Sequence, residues 1–88
     1  LTVTFGVKPT SAGSLTAIVT TNGVASGTAL QVATVLPVVT NSTANLAANA
    51  STVTIAGFGF DTTAADNVVT FNNGAAGTVT SATPTSLI

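Results

Sequence analysis

The 88-residue sequence has no Cys, His, Met, Trp or Tyr, and its charged side chains are one basic and two acidic residues, for a net charge of −1. Each absence removes a class of function. Without His or Cys, neither a histidine-based catalytic relay nor a Cys/His metal site can be built. A single cation, Lys8, cannot neutralise a phosphate backbone, which argues against nucleic-acid binding. Lack of Cys means no disulfide framework, which in a secreted chain favours a bacterial or archaeal surface protein over a small animal ectodomain. Long apolar runs are missing too. Val35-Leu36-Pro37-Val38-Val39 is broken by Pro and falls far short of the ~18 residues that span a membrane.

What is present is the reverse of a disordered composition, with 45% hydrophobic residues and 3% charged. Thr, Ala, Val, Gly and Asn dominate. Such a surface is neutral and rich in hydroxyls, and its low net charge gives little repulsion between copies. It suits an extracellular array or fibre. The sequence begins inside an alternating segment, Leu1-Thr2-Val3-Thr4-Phe5, with no initiator Met or signal-peptide pattern. This leads us to expect a processed product or a piece of a longer chain.

Strand periodicity runs almost throughout. Leu1, Val3 and Phe5 alternate with Thr2 and Thr4, and Gly6 to Gly13 reads as a loop. Leu15, Ala17 and Val19 alternate with Thr16, Ile18 and Thr20. Leu30, Val32 and Thr34 face opposite to Gln31, Ala33 and Val35. These two segments are expected to pair as a hairpin bent within Thr21 to Gly27, where Asn22-Gly23 accepts positive φ. Pro37 breaks the pattern, and Leu36 to Thr40 fits an edge strand because Pro cannot donate to a ladder. Asn41 to Asn49 reads as a loop; its Ala44 to Ala48 stretch is the one place for a helical turn, too short to stand as a helix. Thr52 to Ala56 resumes the alternation with Val53 and Ile55 inward. Gly57-Phe58-Gly59-Phe60 and a polar loop, Asp61 to Asn67, follow. Val69 and Phe71 continue the inward face. Asn72-Asn73-Gly74 is the strongest hairpin signal, Thr78-Val79-Thr80 the returning strand, Pro84 a turn, and Leu87-Ile88 the start of another strand. About seven or eight short strands at this spacing are the pattern of an all-β, antiparallel sandwich.

Two stretches resemble a known family. Ser51-Thr-Val-Thr-Ile-Ala-Gly-Phe-Gly-Phe60 followed by Asn67-Val-Val-Thr-Phe-Asn-Asn-Gly74 is similar to the opening half of an IPT/TIG domain. Pro37 to Thr40 resembles its first strand, and Thr80 to Leu87 the link to its middle strand. Leu1 to Phe5 resembles the continuation of that middle strand, and Ser14 to Thr34 the closing hairpin. The resemblance implies an immunoglobulin-like sandwich of about seven strands in permuted order. Residues 1–35 correspond to the second half of one repeat, and residues 36–88 to the first half of the next. It also implies tandem repeats of large secreted bacterial surface proteins, mostly without catalysis. Two closures are then open: a sandwich permuted on itself, or one completed by a neighbouring copy.

The candidate core and assembly positions are Val3, Phe5, Val53, Ile55, Phe58, Phe60, Val69 and Phe71. Phe58 and Phe60, at strand spacing, are expected to point the same way. Asp61, Asp66 and Asn67 form the only acidic cluster. They offer carboxylate and amide oxygens for Ca²⁺, though the spacing matches no calcium-loop pattern; the competing reading is a turn closed by an Asx-type bond. As a glycosidase pair they lack aromatic platforms for a sugar. Lys8 invites an intramolecular amide bond to Asn, against the plainer reading of a lone solubilising charge. Asn41-Ser-Thr43 and Asn49-Ala-Ser51 match the N-glycosylation pattern. Gly57 and Gly59 lack the Lys and strand-to-helix context of a phosphate loop, so a bulge or close strand approach is the better reading. The expected function is a non-enzymatic structural repeat of an extracellular, prokaryotic fibre or stalk that uses no cofactor and whose partners are copies of itself. The alternative is an adhesin module recognising a glycan or a protein.

Overall fold

Two Asn residues adopt left-handed backbone, Asn22 (φ 51°) and Asn73 (φ 61°), each followed by a Gly that does the same. Both pairs make the tight turn that matches the twist of antiparallel strands, yet only the first sits in a ladder. The computed structural model describes residues 1–88. It is nearly all β, with antiparallel pairings throughout and one short 3-10 turn, Ala64–Asp66.

The first ladder is a long hairpin, hereafter the arm. Strand β1 (Gly13–Ala17) pairs with β4 (Leu30–Val35), and beyond them β2 (Thr20–Thr21) pairs with β3 (Val24–Ala25) around Asn22-Gly23. Ser26 ties the two pieces together, donating its amide to Val19 O at 2.7 Å and accepting the Val19 amide on Oγ at 2.9 Å. The register shifts between Leu15 and Thr16: Leu15 faces Ala33, whereas Thr16 faces Gln31. Val32 is therefore the extra residue of a β-bulge on β4.

The bulge corrects the sequence-based alternation. Residues directly opposite one another share a face. Gly13/Val35, Leu15/Ala33 and Ala17/Leu30 line one face, and Ser14/Thr34 and Thr16/Gln31 line the other. Leu30 thus joins Ala33 and Val35, although strict alternation sets it against them. The polar face is further linked by Gln31 Nε2 donating to Thr34 Oγ1 at 3.2 Å.

The second part, the body, is a four-stranded antiparallel sheet in the order β5-β6-β8-β7. Its strands are β5 (Val38–Val39), β6 (Ile55–Phe58), β7 (Ala82–Thr83) and β8 (Ser86–Leu87). Pro37 precedes the edge strand β5, where its missing N–H costs no ladder bond. Pro84-Thr85 forms the turn between β7 and β8, as Pro84 foretells. Gly57 is needed for close approach. A Cβ there would meet the Val38 carbonyl oxygen and the ring of Phe60.

Arm and body are joined by Leu36-Pro37 and by a single hydrogen bond, Ala12 N–H to Gly59 O at 2.7 Å. The root of the arm, Gly13 opposite Val35, lies at this junction, so the arm runs outward. The molecule measures 61 × 23 × 19 Å. Its radius of gyration is 17.8 Å, against about 12 Å for a globular domain of this length.

The core corrects the sequence reading. Phe60 and Leu87, each 5% exposed, are the only buried large side chains. Of the eight expected core or assembly positions, Phe60 is buried, Ile55 and Val69 are half-buried, and Val3, Phe5, Val53, Phe58 and Phe71 are exposed. The physical reason is the same for all five: no second layer lies over them within the chain. Leu1 to Phe5, Asn67 to Phe71 and Thr78 to Thr80 carry strand alternation but form no strand, although Thr80 donates its amide to Ile88 O at 2.7 Å. The turn at Asn73-Gly74 is therefore formed without its flanking pair. Ala44 to Ala48 forms no helix; a single turn closes there through Ala50 N–H to Ala47 O at 3.0 Å.

The accessible surface is 7111 Å². A compact monomer of 8.4 kDa exposes about 4600 Å² by size scaling, so the excess is about 2500 Å². Backbone hydrogen bonds agree with this. There are 26, where a closed domain of this length has about 60.

Candidate functional site

Two surfaces gather exposed apolar side chains into a continuous patch. The first is a groove on the body. Two adjoining hollows of about 300 and 920 Å³ share Leu46, Val53, Ile55, Val69, Phe71 and Leu87 in their lining. Strands β6 and β8 supply Ile55 and Leu87 as the floor; the unpaired segments on either side supply the walls. No ionisable side chain lines either hollow. The groove therefore offers apolar contact and hydroxyls, with no acid or base within it to move a proton.

The second surface is the apolar face of the arm. Leu15, Ala17 and Val35 are half-buried against each other and Leu30 is 70% exposed. This face belongs to a hairpin of alternating apolar and hydroxyl residues, the pattern of a sheet that covers a core on one side. The body's core does not extend to it. Between Gly13 and Val35 the chain carries no charge.

The Asp61 to Asn67 loop closes upon itself. Asp61 Oδ1 accepts the Thr63 amide at 2.7 Å, the Asx-type bond. Asn67 Oδ1 accepts the Asp61 amide at 3.1 Å, and its Nδ2 donates to the Asp61 and Thr63 carbonyls at 2.8 and 3.1 Å. The Asn67 carboxamide thus serves as the loop's internal brace, and its oxygen is engaged in that bond. No group of three or more His, Cys, Asp or Glu residues gathers anywhere in the chain. Lys8 is exposed in the loop before the arm, and Asn41 and Asn49 are exposed as well.

Phe58 and Phe60 do not point the same way. Phe58 is 61% exposed while Phe60 is buried. Gly59 lies between them with φ 79°, which breaks the extended geometry on which same-side spacing depends. The Gly59 carbonyl then meets the Ala12 amide at the root of the arm. Sequence reasoning missed Leu46 and Leu87 of the groove and Leu15, Ala17, Leu30 and Val35 of the arm's apolar face. Leu87 was visible as an apolar position in the segment after Pro84. Nothing in the local pattern marks the bulge that turns Leu30.

No helix is long and apolar enough to cross a membrane. Comparison of the chain with protein-family models, with curated proteins and with solved structures returned no match.

Proposed function

We propose that the chain is a non-enzymatic structural repeat or subunit of an extracellular fibre, filament or cell-surface stalk, assembled by strand pairing and apolar contacts between copies. The observation that carries this reading is the excess surface of about 2500 Å². A standard interface removes about 800 Å² from each partner, and obligate ones remove more. Two interfaces per copy, one at the arm and one at the groove, would remove the excess at about 1250 Å² each, above the standard size and within the obligate range. The fold that goes with this reading is an immunoglobulin-like sandwich of the IPT/TIG type, whose layers come from different repeats. In its favour are the antiparallel strands, the Asn-Gly turns, and an amphipathic hairpin with nothing to cover.

The uncharged groove favours structure over catalysis. The neutral, Cys-free, hydroxyl-rich composition favours a prokaryotic cell surface. The test is light scattering after size exclusion over a wide concentration range, with imaging of the heavy fractions. We expect mass to grow with concentration and the fractions to contain regular filaments. Sulfate would strengthen the association, whereas sodium chloride would hardly change it, since few charges are available to screen. A monomer mass that is constant at every concentration would overturn the proposal.

A further inference from the structure

Resting on the assembly reading above, we infer that the occupant of the groove is the Gly13–Val35 hairpin of a second copy, docked apolar face inward, with the free edge of β1 paired to the segment Asn67–Phe71. Each side of this contact lacks what the other has. Asn67 to Phe71 has the alternation of a strand, with Val69 and Phe71 lining the groove, yet none of the amides of Val68 to Phe71 donates to a backbone acceptor. The arm has a ladder in two pieces and an apolar face, yet no layer beneath it.

The chain's own arm is directed away from the groove. Leu36-Pro37 and the Ala12–Gly59 bond hold its root at the junction, and the molecule extends to 61 Å. Charge matches on both sides, because neither the arm nor the groove lining carries an ionisable residue. Free sheet edges are usually protected by Lys, Pro, bulges or inward charges. Strand β1 has none of these. Strand β4 has the Val32 bulge, which leaves β1 as the straighter edge for pairing.

The contact uses different surfaces on the two copies, so it is heterologous. Each copy that receives an arm still presents its own, and growth continues head to tail. This predicts reciprocal complementation. Chain L15D/L30D retains the groove and loses the apolar face of the arm; chain V69D/F71D retains the arm and loses the groove. Sedimentation of the wild-type chain yields long oligomers. Each variant alone loses them, and an equimolar mixture gives a heterodimer of twice the monomer mass. Either variant added to the wild-type chain shortens the oligomers, because it caps one end.

Hydrogen exchange on wild-type oligomers needs no variant. The amides of Val68 to Phe71 are expected to slow by about tenfold or more on assembly. Wild-type oligomers in which these amides remain unprotected would overturn the inference and leave the structural reading in place. The inference also fails if both variants assemble as the wild-type chain does. A wild-type chain that never assembles would overturn both.

Discussion

The arm and the body are built from the same residue types, and they fail to be complete in opposite ways. The arm has a ladder but no core: its strands stay paired out to the Asn22-Gly23 turn, and its apolar face covers nothing. The body has a core but short ladders: Phe60 and Leu87 are buried, each of its strand pairings is two residues long, and the amides of Val68 to Phe71 donate to no backbone acceptor. The Asn22-Gly23 and Pro84-Thr85 turns settle the pairings β2–β3 and β7–β8 locally, whereas β5–β6 and β6–β8 join distant segments. Apolar burial needs two layers, and within this chain no second layer covers the apolar face of the arm, where Leu30 is 70% exposed, or the groove. Alternation in the sequence encodes a face, and the identity of what covers that face is a non-local matter.

The sharpest way to break the comparison is to remove the body's core. Phe60→Ala deletes its one buried ring, and truncation of a buried Phe costs about 3–5 kcal/mol. For so small a core we expect loss of all cooperative unfolding from the body, read by denaturant titration. The amides within β1 and β4 are expected to keep their exchange rates, since Phe60 supports no part of the arm. Simultaneous loss of both would show that the two regions fold as one. Gly57→Ala comes next. The added Cβ meets the Val38 carbonyl oxygen and the Phe60 ring, and backbone cannot swing aside as a flexible side chain does. Overpacking of this kind costs about 1–3 kcal/mol. It is expected to separate β5 from β6, which faster exchange of the Thr40 amide, now bonded to Ala56 O at 2.8 Å, would report.

Much of this architecture can be read from residues before any coordinates. The Asn22-Gly23 hairpin, the edge strand after Pro37 and the turn at Pro84 follow from turn chemistry and period-2 alternation, whereas of the strand expected over Thr52 to Ala56 only Ile55 and Ala56 lie in β6. The rest depends on interactions that local pattern does not carry. The Val32 bulge adds one residue to one strand and so changes the face of Leu30. Gly59 takes positive φ and sets Phe58 against Phe60, although the spacing alone places them together. Val3, Phe5 and Phe71 have core-like patterns and no core. Alternation states that a residue belongs to an apolar face, and the covering layer lies outside the segment that displays it. Of the candidate site, the groove residues Val53, Ile55, Val69 and Phe71 were legible, and their meeting with Leu46 and Leu87 was not.

A smaller effect is expected from the loop that frames the junction. Asn67→Ala removes three side-chain hydrogen bonds, each of which contributes about 0.5–1.5 kcal/mol net. Because the loop is partly solvated, water recovers some of this, and we expect about 1–2 kcal/mol in total. The loss is expected to fall on the body alone, as a lower denaturation midpoint with unchanged arm exchange. Asn67→Asp separates shape from donor chemistry. It keeps the acceptor for the Asp61 amide but sets a carboxylate oxygen against the Asp61 and Thr63 carbonyls in place of the Nδ2 donor, so a loss at least as large as that of Asn67→Ala is expected.

The smallest substitution in free energy has the clearest reading for the arm. Asn22 sits at φ 51°, a conformation that costs most L-residues about 1–2 kcal/mol and that Asn tolerates through local hydrogen bonding. Asn22→Ala therefore costs the turn about 1 kcal/mol. An isolated two-stranded hairpin is itself marginal in water, so that amount is enough to shift the arm from mostly paired to substantially open. The Ser26 amide, bonded to Val19 O at 2.7 Å, reports the opening directly by its exchange rate. The body's denaturation is expected to remain unchanged, since the turn lies at the far end of the arm from the junction. In assembled chains, an arm held between its own ladder and a second copy's groove has much more to lose by opening. The same substitution is then expected to leave Ser26 exchange close to the wild-type value. If Asn22→Ala opens the arm equally in dilute and assembled chains, the arm gains no support from assembly, and the contrast between a paired region without a core and a region with a small core and short ladders is a property of each copy alone.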